Sequence, residues 1–286
     1  MERTDRARRM QRPAVAGLSV PLTSFVGRTG ELAELRTLLG SSRLLTLVGP
    51  GGVGKTRLAR ALTEAVVDAG AGLVAFFDLA PLAEPQAVAV TVARALGHPN
   101  YHAGENDTEI VALIGDRPVL LVLDNCEHLI EACANLVATL LPACPGLTVL
   151  ATSRELLDVG GEVPWRVPPL SMPELGPCTA ASTAAAESVQ LFLERCGRVR
   201  PGFTLSDADA AAVAEICRRL GGLPLALELA AARMRVLSPR QIADALGDQL
   251  ALLTGGGRGG AARQRTMRAS LDWSYALLTE PEQVLL

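Results

Sequence analysis

Lysine is almost absent from this chain. The sequence has 286 residues and 27 lysines and arginines, and Lys55 is the only lysine among them. Aromatic residues make up only 3%, whereas 49% of the residues are hydrophobic. The core must therefore be built from Ala, Leu and Val, which suits helices packed on a parallel sheet. The net charge of −3 provides no overall basic field for nucleic-acid binding.

The chain also lacks the cysteine patterns of zinc sites and redox motifs. Its six cysteines form no C-x-x-C pair, and no histidines stand at zinc-ligand spacing. We therefore expect buried thiols in a reducing cytosol. An uncharged run at 132–153 is interrupted by Pro142, Pro145 and Gly146, which predicts a helix end, a turn and a strand rather than a membrane span. The sequence predicts a cytoplasmic protein with no membrane contact.

Apolar runs alternate with helical patterns in the first part of the chain. The patterns predict strands at 43–48, 72–80, 118–124, 147–153 and, at a sheet edge, 162–170. Helices are predicted between them, from the residues after the first strand to about Asp68 and at 84–97, 106–115 and 127–141. Continuous apolar strands separated by helices indicate an α/β fold, with helices on both faces of a parallel sheet.

The domain organisation follows from changes in composition. We expect a flexible basic arm at 1–21, an α/β domain at 22–175, a helical domain at 176–254, a Gly-rich linker at 255–266 and a further helical unit at 267–286. In the helical domain the helices are predicted near 186–197, 206–220, 223–235 and 238–246, and the last three carry start signals at Ser206, Pro224 and Ser238. The final unit ends without a cap, so the chain is predicted to be cut inside a domain.

A complete P-loop motif, G-x-x-x-x-G-K-T, occupies residues 49–56 between a predicted strand and a predicted helix. Its glycines let successive backbone N–H groups point at a phosphate at the helix N-terminus, namely Gly49, Gly51, Gly52 and Gly54. Lys55 must be a compact charge that reaches the β- and γ-phosphates, a position that the planar fork of arginine does not fit. Thr56 offers a hydroxyl to Mg²⁺. The only lysine thus stands where arginine is least tolerated.

The second half of such a site is predicted at the end of the 118–124 strand. Asp124 supplies the second magnesium ligand, and a helix and a strand separate it in sequence from the P-loop, as in the additional-strand division of P-loop ATPases. Asn125 follows where an acidic residue often activates water. Glu127 is either that base or a residue that favours the helix N-terminus while Asn125 caps the helix. Arg154 either senses the γ-phosphate or is a surface arginine.

The order of the motifs resembles STAND-class ATPases with an NB-ARC-like module. The chain contains "FVGR", "LVGPGGVGKTRLA", "LLVLDNCEHL", "ATSRE", "GGLPLALELAAARM" and "SLDWSYALL", in that order. The resemblance covers about residues 22 to 286 and is closest to the nucleotide-binding module of large actinobacterial transcriptional regulators, the antibiotic-regulatory and LuxR-type ATP-binding proteins. "GRTGEL" replaces a more usual acidic run after Gly-Arg.

The resemblance implies roles for further residues. Val26 and Arg28 would lie by the adenine and ribose, Pro224 would pack on the base, and residues 267–286 would open a winged-helix domain. Motif and resemblance together predict a nucleotide-binding set that consists of Val26, Arg28, Gly49, Gly51, Gly52, Val53, Gly54, Lys55, Thr56, Arg57 and Pro224. The catalytic set consists of Lys55, Asp124, Glu127 and Arg154, with Mg²⁺ on Thr56 and Asp124.

Three functions compete at this point. The leading one is an ATP/ADP switch with slow hydrolysis, in which ADP holds the two domains closed and ATP lets a regulator self-associate, with DNA contacted only through domains outside this chain. The second is an AAA-like motor or chaperone with sustained turnover, which Asn125 disfavours because a motor needs an acidic residue there. The third is a small-molecule kinase, which the "GLP" helical domain disfavours.

Overall fold

The computed structural model describes residues 15–16, 23–70, 72–102, 107–176 and 179–246. They form two compact units. The sheet unit comprises the described residues up to Ser24 together with Thr29–Gly49 and Lys55–Arg166. The helical unit comprises Phe25–Arg28, Pro50–Gly54 and the described residues from Val167 onward. The predicted linker at 255–266 and the predicted winged helix at 267–286 lie outside the described residues.

The sheet unit is built on six parallel strands in the order β1-β3-β4-β5-β2-β6. The strands are β1 (Val15–Ala16), β2 (Leu44–Val48), β3 (Leu73–Asp78), β4 (Val119–Asp124), β5 (Leu147–Ser153) and β6 (Glu162–Arg166). Every residue of β4 is buried, as expected for a central strand covered on both faces. The edge position predicted for the last strand is confirmed, and Pro164 is tolerated there.

Helices cover both faces of this sheet. The helices of the sheet unit are α1 (Thr29–Ser41), α2 (Lys55–Asp68), α3 (Ala87–Ala95), α4 (Thr108–Ile114) and α5 (Ile130–Ala143). Alternate residues of β4, such as Leu121 and Leu123, share one hydrophobic core with α3, α4 and α5. Helix α2 contacts β2, β4 and β5, and α1 contacts α2 and β2. The α/β fold class predicted from the sequence is confirmed.

The helical unit has its own core. Its helices are α6 (Ala180–Ala184), α7 (Glu187–Val199), α8 (Asp207–Arg219), α9 (Pro224–Arg233) and α10 (Pro239–Ala245). The predicted start signals are confirmed, because the Ser206 and Ser238 side chains accept bonds from the third helical N–H and Pro224 is the first residue of α9. Their apolar faces meet around Phe192, Ile216 and Leu227, which are completely buried.

Three local features differ from the sequence expectations. Helices α1 and α6 were not predicted from the sequence. Two residues of the predicted arm form β1. Residues 127–141, predicted as one helix, instead begin with a 3₁₀ turn at Cys126–His128 that is followed by α5. The five cysteines within the described residues are buried free thiols, as expected.

Candidate functional site

The motif residues of the sheet unit lie at the carboxyl ends of the parallel strands, which form one side of the sheet and are called the sheet edge below. Because β2, β4 and β5 are parallel, their carboxyl ends point the same way, and β5 lies between the other two. The Gly49 N–H, just after β2, donates to the Ser153 carbonyl at the end of β5 at 3.4 Å. Lys55, Asp124 and Arg154 are thereby brought to the same edge. The additional-strand arrangement predicted from the sequence is confirmed.

Asp124 is the hydrogen-bonded centre of this edge. It is completely buried, and its Oδ1 accepts bonds from the Thr56 hydroxyl at 2.9 Å and the Thr152 hydroxyl at 2.6 Å. Burial raises the pKa of Asp124 to about 6, although the bonds from Thr152 and Thr56 oppose the rise and the nearby Asp78 charge adds to it. Thr152 is a member of the site that sequence reasoning missed.

The paired oxygens of Thr56 and Asp124 fit Mg²⁺, which prefers hard oxygen ligands. Within the described ranges there is no group of three or more His, Cys, Asp or Glu side chains that could hold a metal. A magnesium ion bound with a nucleotide needs no such group, because it takes one or two protein ligands and completes its shell with water and phosphate oxygens.

Lys55 is buried among charged side chains. It is 6% exposed, and its Nζ donates to the Gly49 carbonyl at 2.7 Å. Burial lowers its pKa, the charges of Glu127 and Asp124 raise it, and the Arg154 charge lowers it further. The Lys55 ammonium is therefore under the influence of one further cation and two carboxylates, and a nucleotide phosphate would change that balance of charge.

Glu127 and Arg154 form an ion pair. Arg154 Nε lies 3.4 Å from Glu127 Oε1, and the two side chains are 14% and 3% exposed. The interpretation of Arg154 as a surface arginine is therefore wrong. Glu127 Oε2 has no hydrogen-bond partner among the described residues. Glu127 lies in the 3₁₀ turn that precedes α5, and its residue is buried there.

Asn125 does not cap a helix through its side chain. It precedes the 3₁₀ turn with φ 65° and ψ 49°, and its side chain makes no capping bond. Its amide Nδ2 instead lies 2.9 Å from Asp78 Oδ1 and 3.2 Å from Asp124 Oδ2. Asp78 is a second site residue that sequence reasoning missed. A signal for it existed, since "LVAFFD" ends in aspartate just as "VLLVLD" does.

Two glycines of the P-loop segment within the helical unit, Gly52 and Gly54, lie against the start of α9. Gly52 and Gly54 have φ angles of +83° and +96°, which favour glycine. A Cβ on Gly52 would lie 2.9 Å from the Cβ of Leu225, whose N–H donates to the Gly52 carbonyl at 3.2 Å. A Cβ on Gly54 would lie 3.7 Å from Pro224 Cγ. The "GLP" segment and the loop thus pack together.

Arg28 supports the same loop. It is 2% exposed, and its Nη2 donates to the carbonyls of Val53 at 2.7 Å and Pro168 at 3.0 Å. Val26, beside it in sequence, packs against the core of the helical unit. The side chain of Arg28 is thus bonded to P-loop backbone, and its predicted place by the ribose stays a prediction.

Arg57 binds backbone as well. Its guanidinium donates to the hydroxyl and carbonyl of Thr23, both at 2.7 Å, and to the carbonyl of Ser24 at 2.6 Å. These bonds fix the chain that leads into "FVGR" to helix α2 within the sheet unit. The nucleotide-binding roles assigned to Arg57, Val26, Gly51 and Pro224 stay predictions.

Comparison with known proteins agrees with this geometry. Residues 24–150 match the family model described as "AAA ATPase domain". The chain is 53% identical over 251 residues to a Mycobacterium tuberculosis protein named "Putative HTH-type transcriptional regulator Rv0890c", a match that covers 88% of this chain and 27% of that protein. It is 42% identical over 272 residues to "Uncharacterized protein Rv0894" of the same species, covering 93% of this chain and 64% of that one.

A solved structure with a similar chain is described as a signal transduction ATPase with numerous domains, with a tetratricopeptide repeat sensor, from Pyrococcus horikoshii. The identity is 17%, the TM-score is 0.46, and the match covers 94% of this chain and 35% of that one. The resemblance to a P-loop ATPase region of transcriptional regulators, predicted from the sequence motifs, is confirmed by the family model and the mycobacterial relatives. None of the helices in the described ranges is long and apolar enough to cross a membrane.

Proposed function

Since residues 24–150 match the AAA ATPase domain family, we propose that this chain binds ATP and ADP with Mg²⁺ and hydrolyses ATP slowly, as the nucleotide switch of a cytoplasmic regulator. The observation that carries the proposal is the bond between the Thr56 hydroxyl and Asp124 Oδ1. It joins the P-loop to the buried carboxylate of the second motif, which is the donor set that a nucleotide-bound magnesium requires.

We assign a different part of nucleotide binding to each residue at the sheet edge. Thr56 and Asp124 would hold Mg²⁺, which supplies positive charge against the phosphate oxygens when it is bound. Lys55 adds a compact charge for the β- and γ-phosphates. Arg154 is proposed to sense the γ-phosphate, since it follows the last residue of the neighbouring strand β5 and its guanidinium lies beside Glu127, which is within the Lys55 charge environment.

We expect slow hydrolysis because no side chain next to the magnesium aspartate is well suited to take a proton from water. Asn125 follows the magnesium aspartate, and an amide takes no proton. Glu127 is a carboxylate, but its side chain is buried and paired with Arg154. P-loop switches that lack an added arginine finger turn over at roughly 10⁻⁴ to 10⁻² per second. We expect turnover below about 0.1 per second for this chain alone.

The regulatory role rests on the relatives. This chain spans 27% of the length of the regulator that it matches, so control of transcription is a proposal about a longer architecture. In that architecture the ATP state would favour self-association, and DNA would be contacted by segments other than the residues matched here. Gel filtration of the chain with ADP and with a non-hydrolysable ATP analogue tests the first point, because the proposal requires a larger species only with the analogue.

The test of the enzymatic proposal is a single-chain ATPase assay with Glu127→Gln. If Glu127 is the base, the substitution lowers kcat by about 10²-fold or more while ADP affinity stays unchanged. If Glu127 only balances the Arg154 charge, kcat stays within about threefold of the wild type. Glu131→Gln is the matched control, because Glu131 is an exposed glutamate at the start of α5.

Two outcomes would overturn the proposed function. A turnover of several per second by the purified chain would refute the switch and favour an AAA-like motor. Absence of Mg²⁺-dependent binding of a fluorescent ADP analogue would refute the nucleotide site itself. Identification of the nucleotide released when the purified protein is denatured provides an independent check.

A further inference from the structure

Two aspartates end neighbouring strands of the sheet at the same level. Asp78, the last residue of β3, pairs in register with Asp124, the last residue of β4. Asp124 is buried, whereas Asp78 is exposed. The negative charge of Asp78 is close enough to contribute to the raised pKa of Asp124. Two carboxylates so close repel each other, and a hydrogen-bond donor between them offsets part of that repulsion.

Asn125 supplies that donor. Its amide Nδ2 bonds to Oδ1 of Asp78 at 2.9 Å and to Oδ2 of Asp124 at 3.2 Å. A primary amide has two N–H donors on nitrogen and an acceptor oxygen, and carboxylates accept only. Both contacts therefore require the nitrogen to face the aspartates. The chemistry alone fixes the direction of the amide, and its Oδ1 faces away from both carboxylates.

The backbone around this pair is held by several further bonds. Asp78 Oδ1 also accepts the Ala80 N–H at 3.0 Å, and the Leu79 N–H donates to the Asp124 carbonyl at 2.9 Å. His128 Nε2 lies 3.1 Å from the Leu79 carbonyl and 3.0 Å from that of Leu82. One backbone bond and the His128 side chain thus join the segment after β3 to the end of β4 and the 3₁₀ turn, which keeps Asp78 next to Asn125.

We propose that Asn125 orients the attacking water through its Oδ1, and that Asp78 is the positioning residue that holds the amide in the direction this requires. The proposal rests on the proposed ATPase function. An amide side chain can orient the attacking water of a P-loop enzyme without taking its proton. The residue after the magnesium aspartate then has a role that an amide can perform, and Glu127 stays free to balance Arg154.

Hydrolysis of ATP can be written as a balanced step that needs no acidic residue at position 125. The water oxygen forms a bond to the γ-phosphorus, and the bond from that phosphorus to the β,γ-bridging oxygen breaks, with its electron pair leaving on ADP. One water proton passes to a γ-phosphate oxygen and leaves with inorganic phosphate. Asn125 only accepts a hydrogen bond from the water throughout.

Asp78 acts through Asn125 rather than on the water itself. Strand β3 lies one strand further from the P-loop strand β2 than β4 does. Asp78 Oδ1 already accepts bonds from both Ala80 and Asn125. Because Asp78 lies further from the P-loop strand and its Oδ1 already accepts two bonds, we assign it the role of orienting the Asn125 amide.

The test compares Asp78→Leu, which removes the acceptor, with Asp78→Asn, which keeps an acceptor carbonyl of the same size. We expect Asp78→Leu to lower kcat by at least about tenfold, with KM changed by less than about twofold, and Asp78→Asn to recover part of that loss. Asp68→Asn is the matched control, because Asp68 is an exposed aspartate at the end of α2.

A binding measurement provides the second readout. ADP with aluminium fluoride mimics the transferring phosphoryl group with its in-line water, whereas ADP alone does not. Asp78→Leu should weaken ADP–aluminium fluoride by about the same factor as kcat while ADP affinity stays within about twofold. Equal loss for both ligands, or an unchanged kcat, would overturn the inference. Failure of the wild-type chain to bind ADP would instead overturn the proposed function.

Asn125→Asp tests the alternative that hydrolysis is slow only because residue 125 is not a carboxylate base. The same variant also tests the inference if the Asp78 variants do not fold. It would place a third carboxylate against two others and remove the donor, so we expect kcat to fall by at least about tenfold. A carboxylate that served as a base would raise kcat. An increase in kcat would therefore refute the water-orienting role.

Discussion

Substitution of Asp124 by asparagine should stabilise the nucleotide-free protein while abolishing its magnesium-dependent function. The Asp124 carboxyl is completely buried, and burial raises its pKa from 3.8 to about 6. A raised carboxyl pKa means that the folded state binds the proton more tightly than the unfolded state. The free energy of unfolding contributed by this group therefore falls as pH rises from about 4 through about 6, and the cost is complete above that range.

The size of the effect follows from the shift of about two pKa units, which corresponds to about 3 kcal/mol of unfavourable burial at about pH 8. Asparagine removes the charge and keeps an acceptor oxygen for the Thr56 and Thr152 hydroxyls. It loses the acceptor for the Asn125 amide, at a cost of about 1 kcal/mol. A net gain of about 1 to 2 kcal/mol should raise the melting temperature by about 3 to 6 °C.

The assay is thermal unfolding in EDTA without nucleotide, at about pH 8 and about pH 4.5, for the wild type, Asp124→Asn and the control Asp68→Asn. The gain should be present at the higher pH and vanish at the lower one, where the Asp124 carboxyl of the wild type is protonated. In parallel, Asp124→Asn should lose Mg²⁺-dependent binding of ATP. A variant less stable than the wild type at both pH values, or a gain that does not depend on pH, would contradict the reasoning.

Two further predictions concern the P-loop. Lys55→Ala should abolish tight binding of Mg²⁺–ATP, measured by titration calorimetry. Lys55→Arg should also lose tight binding, because the position requires a compact charge. Undiminished affinity in folded Lys55→Ala protein would refute the assignment of Lys55 to the phosphate site. Arg28→Ala should destabilise the nucleotide-free protein by about 2 to 4 kcal/mol in urea unfolding, because the carbonyls of Val53 and Pro168 lose a charged donor. Weaker ADP binding with unchanged stability would instead favour a direct contact of Arg28 with the sugar.

The strands could be predicted because burial on both faces leaves a continuous apolar run in the sequence. "VLLVLD" became β4 with every residue buried. Helix starts at Ser206, Pro224 and Ser238 could be predicted because a cap is a local interaction. Helix α1 was missed because its hydrophobic pattern is weak: Leu35 is its only buried residue. Without an apolar stripe, a helix leaves little periodic signal.

In the candidate site too, residues in local motifs could be predicted from the sequence, whereas residues that meet through tertiary contacts could not. Lys55, Thr56 and Asp124 could be found because each stands at the end of a strand or the start of a helix in a fixed motif. Asp78 could not be placed, since its partnership with Asn125 spans 47 residues and depends on strand register. The buried pair of Glu127 and Arg154 likewise depends on a 3₁₀ turn that the sequence predicts as α-helix.

The single lysine has a chemical consequence for any amine-directed reaction. Apart from the chain's α-amino group, the ε-amine of Lys55 is the only primary amine in 286 residues. That amine is buried beside the Gly49 carbonyl, and burial lowers its pKa, which enlarges the fraction present as the nucleophilic free base. An acyl-phosphate analogue of ATP would therefore label one side chain, and a single peptide in a mass spectrum would report occupancy of the P-loop. Acetylation of this lysine in a cell would remove the only ammonium side chain that the chain can offer to a phosphate.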